Sequence, residues 1–271
     1  MKLEDFLNSK SIELGEIKYL IKKLKTSQDY VMIYLEEDKI MIPIETYFKY
    51  DLKNLKGLDD KLYNQFKDEE ILLKAYRSCL RKLSSKDYTV KQIKDYLYKS
   101  ELNKNDVDEI IDKLKTYNLL DDEKYCISKS AYYNNANNSF RQIRQKLLKD
   151  GISEELLDRY VKEDYTKEYD KALNIAAKYD KTIKNRSLRA KKQNIINKLV
   201  SSGFSLETSK NVLDELNISS DNEIELLRKE YNKAVNKYSK KYEDYELRQK
   251  VFAALLSKGF NTDDIKKILE V

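Results

Sequence analysis

The sequence predicts a mainly α-helical chain: an elongated array of four tandem three-helix repeats preceded by a small N-terminal antiparallel β region. Two observations predict this class. A pattern of apolar positions recurs along the second part of the chain, and short apolar runs separated by turn residues precede it. Recurring units of this size stack on one another, because none buries its apolar face alone. The predicted boundaries enclose the β region at 1–66 and the repeats at 67–121, 122–165, 166–217 and 218–271.

The recurring pattern is centred on Gly151, Gly203 and Gly259. Apolar residues stand eight, four and three positions before each glycine, and one, nine and ten positions after it. A fourth copy, Ile93–Ile111, fills the same six positions and has Glu101 in the place of the glycine. Since 41% of the chain is apolar, four complete copies indicate a repeat.

Each position in the pattern has a physical reason. The positions before the glycine lie on one face of an α-helix, and the glycine suits the left-handed residue that ends many helices. Glu101 therefore predicts a different turn in the first repeat. Two positions later stand residues that favour helix N-caps, followed in most copies by acidic residues that suit the positive end of a helix. These predicted caps are Asn103, Ser153, Ser205 and Asn261.

A third helix is predicted in each repeat. The anchor positions are 50, 52 and 56 residues apart, which exceeds the length of two short helices and a turn. Amphipathic segments that could supply the preceding helix begin near residues 69, 122, 169 and 224.

The N-terminal region has a different pattern. Between Ile17 and Ile44, runs rich in Ile, Val and Tyr are separated by turn residues, which predicts three antiparallel strands ending at Pro43. We place Gly57 at a turn that leads into the helices, and residues 1–11 are expected to be loose.

Composition argues against most enzyme classes. The chain has no histidine, which excludes histidine bases, Ser-His and Cys-His nucleophiles and histidine metal sites. It also lacks the glycine-rich phosphate-binding motifs. The acidic pairs that begin at Asp59, Asp121 and Asp263 fit helix starts better than a Mg²⁺ site. We therefore predict a protein that is not an enzyme and has no cofactor or metal.

Compartment and redox state follow from similar observations. No apolar run approaches the roughly 20 residues of a membrane span, and residues 1–10 lack the apolar stretch of a signal peptide. The expectation is a cytoplasmic protein without membrane contact. Cys79 and Cys126 fall in helical segments and are expected to be buried apolar side chains rather than a disulfide or a nucleophile.

Positive charge is concentrated locally rather than overall. The net charge is +6, but residues 181–192 hold six basic residues without an acid, and residues 141–149 hold four. Such clusters either follow a phosphate backbone or form solvated helix faces. The 22 tyrosines could stack on bases, although several fall at core positions and the chain is generally rich in Lys, Asn, Ile and Tyr. The residues predicted to contact a partner or DNA are Arg141, Arg144, Lys149, Lys184, Arg186, Arg189, Lys191 and Lys192.

Residues 110–161 resemble the central part of the RecX family of recombination regulators. The segment "NLLDDEKY", 118–125, matches the family's leucine, aspartates and helix-opening aromatic residue, and "RQIRQKLLKDGI", 141–152, matches the helix of its second unit. Residues 75–102 resemble the first unit, and the order of a strand region before the helices resembles the long Gram-positive proteins. Asn138-Ser139 and Asp150-Gly151 stand where the family commonly has Lys-Gly.

The resemblance implies a regulator of homologous recombination and DNA repair that is not an enzyme. Such a protein would bind the filament that the RecA recombinase forms on DNA and modulate its extension, ATPase and strand exchange. Single-stranded or duplex DNA within the filament would be a second contact. Two alternatives stay open: a helical module that binds DNA or RNA by itself, and a scaffold without a nucleic-acid-linked partner. Acidic first turns in the last helix of each repeat disfavour the first alternative, because they would face phosphates.

Overall fold

The computed structural model describes residues 15–100, 102–216, 218 and 222–270. These residues form a mainly α-helical fold with a small N-terminal antiparallel sheet, which confirms the predicted class. The strands are β1 (Tyr19–Leu20), β2 (Lys23–Thr26), β3 (Tyr30–Tyr34), β4 (Lys39–Pro43) and β5 (Gly57–Leu58). The helices are α1 (Ile44–Lys49), α2 (Asp60–Leu83), α3 (Val90–Leu97), α4 (Lys104–Thr116), α5 (Asp122–Asn135), α6 (Phe140–Asp150), α7 (Glu154–Tyr160), α8 (Tyr165–Asp180), α9 (Leu188–Ser201), α10 (Leu206–Glu215), α11 (Glu223–Tyr238), α12 (Asp244–Ser257) and α13 (Thr262–Leu269).

Two compact units make up the chain, an N-terminal unit that ends at residue 121 and a C-terminal unit that begins at residue 122. The expectations about residues 1–11 and about the turn at Glu101 lie outside the described residues. The boundaries of the individual repeats stay a prediction.

The three predicted strands are present as the antiparallel sheet β2-β3-β4. Val31 lies opposite Ile42, and Ile33 lies opposite Ile40, so one face of the sheet carries four fully buried aliphatic side chains. The strand β4 ends at Pro43, as predicted, and α1 begins at the next residue. Alternation of side chains along a strand explains why this face alone is buried.

The strands β1 and β5 form a second antiparallel pair, which the sequence interpretation did not include. Gly57 lies in β5 opposite Leu20, so its predicted place in a turn was wrong. A Cβ atom at Gly57 would lie 2.5 Å from Cγ2 of Ile17 and 2.8 Å from the carbonyl oxygen of Tyr19. Only glycine therefore allows this close approach of the two strands.

The helix α2 belongs to both parts of the N-terminal unit. Its N-cap is Asp59, which accepts a hydrogen bond from the backbone N–H of Leu62 at 2.8 Å. Phe66, in its first half, packs in the core of the sheet, whereas Cys79, in its second half, packs with α3 and α4. The predicted boundary near residue 66 thus falls inside a continuous helix.

A carboxylate links the sheet to α2 and makes stability depend on pH. Asp38 accepts hydrogen bonds from the Tyr63 hydroxyl at 2.8 Å and pairs with Lys67 at 2.6 Å. The hydrogen bond from Lys67, helped by that from Tyr63, lowers the pKa of Asp38 from 3.8 to about 2. Because the folded pKa is depressed, Asp38 stabilises the fold fully above its unfolded pKa, and this contribution is lost as the pH falls through about 2.

We expect Asp38→Asn to lower the free energy of unfolding at pH 7 by about 0.5–1 kcal/mol, because the pair is partly solvated. The difference from the unsubstituted chain should shrink as the pH approaches 2. Urea denaturation followed by circular dichroism at both pH values measures it. Glu37→Gln, in the same loop, removes a carboxylate that has no ion pair in the described structure and serves as the control. Equal losses at pH 7 and pH 2 would contradict the assignment.

The C-terminal unit contains three groups of three helices, α5–α7, α8–α10 and α11–α13. Each group encloses a separate core, with Ile143 and Leu147 in the first, Ile195 and Leu199 in the second, and Leu255 in the third. The helices predicted to begin near residues 122, 169 and 224 are therefore confirmed as the opening helices α5, α8 and α11.

The turn and cap chemistry is also confirmed. Gly151, Gly203 and Gly259 adopt left-handed φ values of 97°, 85° and 84°. The four predicted caps Asn103, Ser153, Ser205 and Asn261 all accept a hydrogen bond from a backbone N–H in the first turn of the following helix. Each such bond satisfies a donor that the helix itself leaves unpaired.

Both cysteines are buried and reduced, as expected for apolar packing. Burial raises the pKa of the Cys79 thiol to about 11 and also raises the pKa of Cys126. Neither thiol is therefore activated as a nucleophile. Across the described residues, no helix combines the length and the apolar character that crossing a bilayer requires.

Candidate basic interface on the second helices

The second helices of the three C-terminal groups, α6, α9 and α12, meet end to end. The N-cap of α6 is Ser139, whose hydroxyl accepts from the N–H of Gln142 at 3.2 Å and donates to the carbonyl of Ser202 at 2.7 Å. The N-cap of α9, Ser187, donates in the same way to the carbonyl of Lys258 at 2.6 Å. The start of each helix therefore contacts the end of the second helix in the following group.

A carboxylate completes each junction. Glu168, in α8, accepts the backbone N–H of Phe140 at 3.0 Å, and Glu223, in α11, accepts that of Leu188 at 3.0 Å. We call the serine, the carbonyl that it contacts and this glutamate a clasp. In both clasps the positive end of one helix meets a carboxylate and the negative end of another helix, which is a favourable arrangement.

The clasps show which basic residues are equivalent. Counted from the caps Ser139 and Ser187, Arg141 and Arg189 both occupy the second helical position. By the same count, Arg144 and Lys192 both occupy the fifth. Alignment on the glycines hides this, because the helix α9 is longer than α6 between its cap and its end.

Around α9 the predicted cations surround a groove. Arg189 and Lys192 line an open depression of about 510 Å³ together with Lys210, which α10 supplies. Ile196 and Leu213 provide its apolar part. Lys210 was missed by the sequence interpretation because it stands outside both basic runs, and only the packing of α10 against α9 brings it close.

Five of the eight predicted contact residues have exposed side chains without a cation partner to hide: Arg141 and Lys184–Arg186 near the helix starts, and Arg189 and Lys192 on α9 are all exposed. Lys149, near the end of α6, is exposed as well. Among the described residues, Arg186, Arg189 and Lys192 form no ion pair. Their charge is therefore available to a partner.

Arg144 and Lys191 are engaged within the chain. Arg144 pairs with Glu154 and, at 2.7 Å, with Asp158, so it joins α6 to α7. Lys191 pairs with Asp180 at 2.8 Å and is only partly exposed. These two cations stabilise their own helix groups, and an external partner would have to compete with the carboxylates.

Many tyrosines are occupied by neighbouring lysines. The ammonium groups of Lys129 and Lys146 lie over the rings of Tyr125 and Tyr133 at 5.6 and 4.7 Å from the ring centres. Tyr165 and Tyr245, in contrast, are strongly exposed. The part of the chain that the structure describes contains no group of His, Cys, Asp and Glu side chains that could hold a metal ion.

Two family models match the sequence. The model of "RecX, first three-helix domain" matches residues 75–114, and that of "RecX, third three-helix domain" matches residues 221–269. The first match includes α3 and most of α4, and the second includes all of α11–α13.

Relatives named "Regulatory protein RecX" match across most of the chain. The protein of Lactococcus lactis subsp. cremoris (strain SK11) is 32% identical, with 92% of this chain and 95% of the relative covered. That of Streptococcus mutans serotype c is 36% identical over 69% of this chain and 73% of the relative. A crystal structure of a regulatory protein RecX has the same fold with a TM-score of 0.57 and 23% identity, covering 73% of this chain and all of the other. On these similarities, the chain belongs to the RecX family.

Proposed function

We propose that the chain binds the RecA–DNA nucleoprotein filament in the cytoplasm and modulates filament extension, ATPase and strand exchange. The observation that supports this proposal best is the set of exposed cations along the second helices. Arg141 and Arg189 recur at equivalent positions, and Lys192 and Lys210 flank the groove on α9. Recurring cations on successive repeats suit a polymeric partner with a regular array of negative groups.

The mode of action is proposed to be occupation of a surface rather than catalysis. Relatives carry the name of regulatory proteins, and the described residues contain no activated thiol or metal cluster. The charges of the surface are mixed, which suits contact with both protein and DNA in the filament.

A partner-dependence experiment tests the proposal. Fluorescence anisotropy would measure binding of the labelled chain to single-stranded DNA alone, and to the same DNA coated with RecA in the presence of ATP. We expect tight binding only to the coated DNA. Equal binding to bare DNA would support the alternative of an independent nucleic-acid-binding module, and binding to neither would contradict the proposed function.

Charge reversal tests the interface. Replacing Arg186, Arg189 and Lys192 together by glutamate should weaken binding to the RecA filament by about tenfold or more, because attraction becomes repulsion at three neighbouring positions. The dependence of log Kd on log salt should fall by roughly 0.9 for each lost phosphate contact. Inhibition of the RecA ATPase provides a second readout.

The matched control reverses three exposed lysines of the N-terminal unit, Lys23, Lys25 and Lys53, which changes the net charge equally. Circular dichroism must show that both variants are folded. Unchanged filament binding by the folded triple variant on α9, or an equal loss in both variants, would remove this face as the interface.

A further inference from the structure

The N-terminal unit contains a groove that the proposed filament contact does not use. It consists of two adjoining clefts of about 610 and 510 Å³ between the end of β4, α1, α2 and α4. The two clefts share Pro43, Leu73, Tyr76 and Lys113 in their walls. Each has a volume typical of ligand-binding clefts, which run from about 300 to 1,000 Å³.

Positive charge is gathered in the first cleft. Arg77 and Arg81 stand one turn apart on α2, and Lys113 faces them from α4. The guanidinium of Arg77 lies 4.5 Å from the ring centre of Tyr30, and the ammonium of Lys113 lies 4.8 Å from that of Tyr76. Within the described ranges none of these three cations forms an ion pair, so neutral rings orient them without neutralising their charge.

Negative charge is gathered in the second cleft. Its lining includes Glu45, at the start of α1, Glu69, on α2, and Glu109, on α4. Glu45 also borders the first cleft, as does Asp29, which precedes β3. Glu69 accepts a hydrogen bond from Thr46, whereas Glu45 and Glu109 have no ion pair in the part of the protein that is described.

Apolar surface lies between and beside the charges. Leu73 and Ile110 are buried in the groove walls, and Leu119 and Tyr117 at the mouth of the first cleft are 42% and 61% exposed. Exposed leucine and tyrosine beside unpaired cations are features of recognition surfaces, where rigid aromatic groups anchor a partner.

From this arrangement we infer that the groove binds a peptide segment of a protein partner, with an apolar anchor, an acidic residue toward Arg77 and Arg81, and a basic residue toward Glu45 and Glu109. Four carboxylates along the groove would repel the uniformly negative backbone of a nucleic acid. A peptide, in contrast, can supply both signs of charge and an apolar side chain, and so matches each part of the groove.

A random heptapeptide library displayed on phage is the probe, selected against the full chain. We expect enrichment of peptides in which an acidic and a basic residue flank a leucine or an aromatic residue. Fluorescence anisotropy with one enriched peptide should show at least tenfold weaker binding to Arg77→Glu/Arg81→Glu and to Glu109→Lys. Exchanging the acidic and basic ends of the peptide should restore affinity for a variant that combines these three substitutions.

The outcomes separate this inference from the proposed function. The α9 charge-reversal variant should bind the peptide normally, since the groove lies in the other unit. A lack of enrichment, or enriched peptides that bind all folded groove variants equally, would overturn the inference. So would a thymidine oligonucleotide whose binding is lost in Arg77→Glu/Arg81→Glu, because the groove would then recognise nucleic acid.

Discussion

Glu168→Ala is expected to lower the free energy of unfolding of the C-terminal unit by about 3–5 kcal/mol. Glu168 and Lys171 form an ion pair of 2.7 Å in which both side chains are about 10% exposed. Removing the carboxylate leaves the ammonium buried with only the carbonyl oxygen of the Asn134 amide, at 2.7 Å, as a hydrogen-bond acceptor. The N–H of Phe140 loses its acceptor in the clasp as well.

The double variant Glu168→Met/Lys171→Met is the matched control. It removes both charges and retains apolar volume, and replacing a buried pair in this way is often close to neutral. We therefore expect the double variant to be more stable than Glu168→Ala, although the N–H of Phe140 stays unpaired in both.

Guanidinium denaturation gives the overall change, and hydrogen exchange measured by mass spectrometry assigns it to a unit. Because the chain has no tryptophan, backbone exchange locates the change better than fluorescence does. Amides of α6 and α8 should exchange faster in Glu168→Ala, and those of the β2-β3-β4 sheet should not change. A loss below about 1 kcal/mol would show that the pair does not depend on mutual neutralisation.

The features that the sequence predicted correctly are local. A left-handed glycine, a cap serine and an alternating strand each depend on residues within a few positions, so Gly203, Ser205 and the strand that ends at Pro43 were all identifiable. The buried cysteines were predictable for the same reason, since they fall among apolar helical positions.

The features that were missed depend on distant residues. The two-residue strands β1 and β5 are too short to show alternation, and Gly57 has the composition of a turn even though it pairs with Leu20. The helix α2 begins at Asp60, well before the segment chosen for its apolar pattern. Here the cap Asp59 was the available signal, because its side chain accepts the N–H of Leu62.

The candidate interface was predicted only in part for a similar reason. Basic runs identify cations, but they do not show which cations have internal partners. Arg144 meets carboxylates on the next helix, whereas Lys210 approaches Arg189 from outside the runs. The clasp was not predictable, because the hydroxyl of Ser139 reaches a carbonyl 63 residues away.

The second large effect is expected at Gly203. We expect Gly203→Ala to lower the free energy of unfolding by about 2–3 kcal/mol. Its φ of 85° strains any residue with a Cβ atom, and that atom would lie 2.5 Å from the Oγ of Ser139. Ser139 would have to move and would then lose its hydrogen bond to the carbonyl of Ser202.

Two comparisons separate backbone strain from the loss of the clasp. Gly259→Ala has the same strain, with φ of 84°, but a longer contact of 2.9 Å to the Oγ of Ser187, so its loss should be smaller. In a double-mutant cycle, Ser139→Ala removes the oxygen that Gly203→Ala would meet, and the two losses should therefore sum to more than the loss in the double variant. Additive losses would mean that the glycine matters for its own turn alone. Coupled losses would mean that each repeat sets the position of the next through its glycine, which places the recurring cations at regular intervals.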